Sequence, residues 1–354
     1  MSEWRQKIAA LVSDYSKIHV YAVDPGAVAS LQPFYEEAQK LGIAGDWFAE
    51  GWAADHAESH YKTMAQMEAT LGYAVGREAV LMGQQVNFEQ AYARLKFFRE
   101  QHYQTIFISD HWKDIATLFR PHATEQPLLP HRFLVPDQEA YELQRSTLPT
   151  IGLTEQQIDS CIEVFLHTGV ARSLDKIDQI TDAHVDKLRK RYGISGRSVI
   201  MLLDNVDRKG TALLGFGWQN CLDLAIAYKD EYEPGTKFLV KPHPRQDMRE
   251  IEAYIRNMPP RTDIEIVTEM EGEPFIKLCD EVWGMTTVLL VIARHAGKPI
   301  RAFMAERTGM GALDSNAHIE PYAILGWGDF AASRQHYPEQ QNQTPVRHNR
   351  YSIR

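Results

Sequence analysis

Short apolar runs alternate with longer amphipathic stretches along the chain. Ile18–Val23 reads as a buried strand, closed by the turn Asp24-Pro25-Gly26, and Leu31–Leu41 follows with helical character. Glu78–Met82 is a weaker strand. Phe88–Glu100 carries apolar residues at Phe88, Ala91, Leu95 and Phe98, the spacing of a helix face. Thr105–Ser109 predicts a strand ending at Asp110, and His131–Val135 another, ahead of a helix over Gln138–Ser146. Strands that alternate with helices in this way predict a mainly parallel sheet covered on both faces.

The middle of the chain reads differently. Thr154 and Gln157 form a Thr-x-x-Gln capping box, and helical character is expected from there through Leu166. A second helix is expected over Ile177–Arg191. Its basic end, Lys187 to Arg191 before Gly193, suits the helix dipole and a glycine stop. Then the alternation resumes. The expected strands are Val199–Leu203, Lys237–Lys241, Ile264–Val267, Glu281–Trp283 and Pro299–Phe303. The expected helices are Gln219–Tyr232, Met248–Asn257, Pro274–Cys279 and Val288–Ala296. The fold class expected is α/β, with two Rossmann-like doubly wound domains facing a cleft. They would occupy residues 1–150 and 196–330, joined by a helical connection over 151–195 and followed by a polar tail at 331–354.

Length agrees with this division, since 354 residues at about 150 per domain make two. Charge narrows the partners. Asp and Glu total 47 against 38 Lys and Arg, a formal net charge of −9, which disfavours non-specific grip on nucleic acid or anionic membrane. The longest apolar stretch, near Val288–Ala293, falls far short of the ~20 residues that span a bilayer. The first residues lack a signal-peptide pattern. Cys161, Cys221 and Cys279 are scattered and odd in number, so neither a disulfide framework nor a zinc knuckle is expected, and the cytoplasm is the simplest compartment.

In doubly wound sheets, ligands bind beyond the C-terminal ends of the strands. Asp24, Asp110, Asn205, His243 and Thr286-Thr287 all follow predicted strands directly. Lys241-Pro242-His243-Pro244-Arg245 sets an imidazole between two cations on a proline-restricted turn, a cluster suited to an anionic ligand. The plainer reading is a rigid loop with an exposed histidine. Gly284-Met285-Thr286-Thr287 precedes an apolar helix, where hydroxyls and free backbone N–H groups can hold an anion. Plain capping would need only one of the two threonines.

The strand followed by Lys-Pro-His-Pro, and the later run Thr-Thr-Val-Leu-Leu-Val-Ile-Ala-Arg-His-Ala-Gly-Lys-Pro, resemble the nucleotide-binding half of GT-B glycosyltransferases. The likeness is to the bacterial sialyltransferase, polysialyltransferase and capsule-polymer transferase types, and covers about Ser198–Phe303. His243-Pro244 matches that family's HP motif, and Thr286-Thr287 its Ser/Thr pair. The resemblance implies a cytoplasmic enzyme that uses a nucleotide sugar, with a CMP-linked acidic sugar as one candidate donor, and extends a glycan or glycolipid. Lys241, His243, Pro244, Arg245, Thr286, Thr287 and Asn205 would hold the donor, and His243 would assist departure of the nucleotide. Peripheral association with the inner membrane surface stays open.

In the same family the first domain binds the acceptor and supplies a catalytic carboxylate from an acidic-Gly loop. This chain has no clean Asp/Glu-Asp-Gly. The nearest substitutes are Asp24-Pro25-Gly26 and Asp110-His111-Trp112. Asp110 is the first candidate for the base and His111 the second. Asp24, Gly26 and Trp112 fall to the acceptor side, though a turn residue for Asp24, a helix cap for Asp110 and packing for Trp112 are the plainer readings.

No cofactor and no metal are expected. Asp-x-Asp, the Walker pattern and Gly-x-Ser-x-Gly are absent from the sequence, and His56 and His60 lack the adjacent Glu of HExxH. Gly210, Gly215 and Gly217 make a glycine-containing loop without the spacing of a dinucleotide fingerprint. Fold alone leaves two alternatives. One is a sugar-nucleotide epimerase or polyol-phosphate transferase, and the other a non-catalytic protein that binds glycan or nucleotide.

Overall fold

A computed structural model describes residues 3–55, 61–85, 87–110, 112, 115–204, 217–244, 246–304, 318–319 and 322–324. They divide into two compact units, up to Ala171 and from Arg172 on, with the division inside the helix Thr168–Gln179. The tail expected at 331–354 lies outside the described residues, as do His56, His60, Gly210 and Gly215.

The first unit holds six parallel strands: β1 Lys17–Ala22, β2 Ala44–Ala49, β3 Glu78–Gly83, β4 Gln104–Ile108, β5 Arg132–Val135 and β6 Ile162–Val164. Their order is β2-β1-β3-β4-β5-β6, so the chain reverses direction across the sheet between β1 and β3. β1, β3 and β4 are buried along nearly their whole length, as expected of parallel strands covered on both faces. The helix Pro25–Lys40 starts earlier than its apolar pattern suggests, because Pro25 stands in its first turn, where its missing N–H costs nothing. This helix lies very close to β3: a Cβ added at Gly83 would stand 2.5 Å from the Cβ of Ala27 and 2.8 Å from its Cα. Ile18, Val20, Leu31, Phe34, Leu81 and Ile106 fill the core between them.

The second unit also has six parallel strands: β7 Ser198–Leu202, β8 Lys237–Lys241, β9 Ile264–Ile266, β10 Glu281–Gly284, β11 Ile300–Phe303 and β12 Ala323–Ile324. The order β12-β11-β10-β7-β8-β9 is the doubly wound arrangement, with its reversal between β7 and β10. Trp283 stands at the centre, edge-on to Tyr228 and Phe238 and tilted against Phe303. The buried carboxylate of Glu281 is held by Arg197, Arg301 and the Trp283 indole N–H.

Two expectations are corrected. Helical structure does not run from Thr154 to Leu166. The capped helix ends at Asp159, and Ile162–Val164 becomes β6, pairing with β5 to complete the first sheet. The capping box itself is present. The single helix expected over Ile177–Arg191 is two, Thr168–Gln179 and Asp182–Arg191. The hydroxyl of Thr181 caps the second by accepting from the His184 N–H, which favours a new start over continuation.

Candidate functional site

In the second unit, three adjacent strand ends are tied to one another. Asp204 follows β7, and its Oδ2 accepts from both the backbone N–H and the hydroxyl of Thr286, each at 2.6 Å, across the reversal between β7 and β10. Gln246 ties the third end, beyond β8. It donates from Nε2 to the Asp204 carbonyl at 3.1 Å, while its Oε1 accepts the His243 N–H at 2.7 Å. The Gln246 N–H closes the turn onto the His243 carbonyl at 2.9 Å. The His243 backbone is thereby fixed and its imidazole half-buried.

The two threonines divide their work. Thr287 is the N-cap of the helix Val288–His295, its hydroxyl accepting from the Leu289 N–H. Thr286 serves Asp204. The ammonium of Lys241, 5% exposed, donates to the carbonyls of Glu269 and Met270 at 2.8 Å each, so it holds the loop after β9. Burial pushes its pKa down, against the opposing pull of Glu269 and Glu273. Pro244 is exposed; Arg245 and Asn205 lie outside the described residues.

The first unit gathers its polar groups at the corresponding edge. Asp110 follows β4 and is 5% exposed. Its carboxylate lies over the start of the helix Pro25–Lys40: a Cβ on Gly26 would come within 2.1 Å of Asp110 Oδ2. Gly26 therefore admits the carboxylate at the helix N-terminus, where the backbone dipole favours negative charge. Asp24 takes the N-cap position with extended dihedrals and makes no capping bond through its side chain. His111 lies outside the described residues.

His167 is the residue that sequence reasoning missed here. The Val170 N–H donates to its Nδ1 at 3.1 Å, which leaves the proton on Nε2. That proton is donated to the Asp110 carbonyl at 2.8 Å. Its ring stacks on Trp112, 5.2 Å between centroids, and the Trp112 indole N–H donates to Asp137. Trp112 is thus buried packing that fixes the Asp110 segment. Beyond β3, the Ser109 hydroxyl donates to Gln84 Oε1 at 3.0 Å, and Gln85 is 2% exposed. Asp204, Gln246 and Gln85 also carried no sequence motif. For Asp204 and Gln85 the available signal was position alone, just past a strand.

No family model matches the chain, and no curated protein does. Solved structures do. A UDP-GlcNAc 2-epimerase from Neisseria meningitidis, bound to UDP-GlcNAc, superposes with a TM-score of 0.60 at 12% identity, over 95% of this chain and 96% of that one. A UDP-GlcNAc 2-epimerase from Methanocaldococcus jannaschii, in complex with UDP-GlcNAc and UDP, gives 0.57 at 12%, over 93% and 94%. A glycosyltransferase from Rickettsia africae gives 0.58 at 10%, over 92% and 88%. At such identities the likeness is one of fold. The chain has the two-domain, Rossmann-like α/β fold of the GT-B kind.

Proposed function

We propose that the protein is an enzyme acting on a nucleotide-activated sugar, and that it transfers the sugar to a glycan or glycolipid. The observation that carries this reading is the bonded arrangement of Asp204, His243 and Thr286-Thr287 at the strand reversal of the second unit. In doubly wound sheets, that crevice is where nucleotides sit. The half-buried His243 and the N-terminus of the helix Val288–His295 supply donors suited to a donor phosphate. In the transfer, the acceptor hydroxyl gives its proton to a general base and bonds to the anomeric carbon. The bond from that carbon to the phosphate oxygen breaks, and the nucleotide leaves with the electron pair while His243 offers its phosphate a hydrogen bond. The sequence contains no Asp-x-Asp to bind a diphosphate through metal, so protein donors are assigned that role and no metal is required.

A second reading is favoured by two structural neighbours, which are 2-epimerases bound to UDP-GlcNAc. Such an enzyme would convert a nucleotide sugar with no acceptor present. The sialyltransferase likeness points instead to a CMP-sugar.

The test is a thermal-shift screen against CMP, CDP, UDP, GDP and their sugar conjugates, with and without magnesium, on wild type and His243→Ala. Ligands that bind the native state raise its melting temperature by mass action. A selective, metal-independent shift lost in His243→Ala is expected, and it names the base. Product analysis with donor alone then separates epimerisation from transfer. A folded protein that shifts with none of these nucleotides would overturn the reading.

A further inference from the structure

Gln85 is 2% exposed, and among the described residues neither its Nε2 nor its Oε1 has a hydrogen-bond partner. A buried amide left unpaired is costly, and native proteins retain such groups sparingly. Its position suggests why this one is kept. Gly83 on β3 is level with Ile108 on β4. One step further, Gln84 meets Ser109 through the bond already described, so the register continues past the strand ends. The next step sets Gln85 level with Asp110.

Residues two apart point to the same face. Gly83 turns toward Ala27, and the Asp110 carboxylate lies over Gly26, so both address the start of the helix Pro25–Lys40. Gln85 shares that side. The pair also flanks the strand reversal between β1 and β3, where a doubly wound sheet binds its ligand.

We infer that Gln85 is a specificity-determining residue of the first unit, its amide hydrogen-bonding a hydroxyl-bearing saccharide held beside Asp110. The inference rests on the reading that this unit receives a sugar. An amide offers a donor and an acceptor together, which matches a pair of sugar hydroxyls. The saccharide is either the sugar moiety of the donor or a separate acceptor.

The probes are UDP, CMP, UDP-GlcNAc, CMP-sialic acid, and free glucose, galactose, N-acetylglucosamine and sialic acid at millimolar concentration. Saturation-transfer NMR follows the free sugars, and calorimetry the nucleotides. They are applied to wild type, Gln85→Leu and Gln85→Met, both near-isosteric and apolar. The expected result has three parts. At least one saccharide or sugar moiety binds wild type. That binding weakens about tenfold or more in both variants, as for the loss of one to two hydrogen bonds. The variants melt at or above the wild-type temperature, since an orphaned amide has been removed.

Unchanged affinity for bare UDP and CMP accompanies this result, because Gln85 touches no nucleotide. Weakening confined to the conjugates assigns the donor sugar, and weakening for free saccharides assigns the acceptor. The inference is overturned if saccharide binding is undetectable in wild type or equal in the variants, or if both variants melt well below wild type. Failure of every bare nucleotide to bind would sink the donor-site reading alone, since the saccharide arm is read independently.

Discussion

Replacing Gly26 with Ala places a methyl group 2.1 Å from Asp110 Oδ2, well inside contact distance. Two effects oppose each other. Alanine is the better helix former by up to about 1 kcal/mol, less in a first turn. Against this, Asp110 must rotate away from the helix N-terminus. A displaced rotamer costs about 0.5–1.5 kcal/mol, and a buried carboxylate moved off a helix N-terminus forfeits part of a dipole interaction of about 0.3–2 kcal/mol. The second effect wins, and a net loss of about 1–3 kcal/mol is expected.

The assay is urea unfolding followed by tryptophan fluorescence, with Trp4, Trp47 and Trp112 buried in this unit. Asp110→Ala makes room for the methyl. In that background Gly26→Ala should cost little or become favourable, giving a coupling energy of at least about 1 kcal/mol in the double-mutant cycle. Turnover in the single Gly26→Ala variant should fall as well, because the carboxylate has moved. Additive effects, or a Gly26→Ala protein as stable and active as wild type, would refute the claim that Gly26 is kept for Asp110.

Acid should weaken the fold through His19. Burial, and then Lys17, depress its pKa to about 4, while its Nδ1 accepts the Asp46 N–H at 3.0 Å. Above pH 6.5 neither state binds the proton. Between 6.5 and 4 the unfolded chain binds it and the native one does not, so stability falls as pH falls, by on the order of 3 kcal/mol across the window. Urea midpoints of wild type and His19→Gln between pH 7.5 and 4.5 check this; an equally steep fall in the variant would remove His19 as the cause. In the second unit, Thr287→Ala should lose a cap worth about 1 kcal/mol, and Thr286→Val a hydroxyl bond to Asp204 worth about 1.5 kcal/mol. Chemical denaturation of both variants reads the two losses, and an unchanged midpoint for Thr286→Val would mean that bond carries no stability.

Strands with a continuous apolar run, such as β4, β7 and β8, were legible because burial on both faces leaves a one-dimensional signal. β2, with the sequence Ala-Gly-Asp-Trp-Phe-Ala, was not. Its first half is only partly buried and its pattern is broken by Gly45, which is needed because a Cβ there would meet the His19 ring at 2.7 Å. β6 has three residues and depends on β5 for its identity. At the candidate sites, sequence marked the strand ends and stopped there. The bond across the reversal belongs to Asp204, which no motif marks. The sequence placed Trp112 on the acceptor side, but the indole is packed on His167, a residue 55 positions away in sequence whose approach only the folded sheet creates. The division of labour between Thr286 and Thr287 likewise depends on where β7 ends.

The contact between Gly83 and Ala27 has an evolutionary consequence. With so little space between helix and strand, neither position can enlarge by itself without lifting the helix, and with it the backbone around Gly26 on which the Asp110 carboxylate rests. Positions 26, 27, 83 and 110 therefore form one unit of variation.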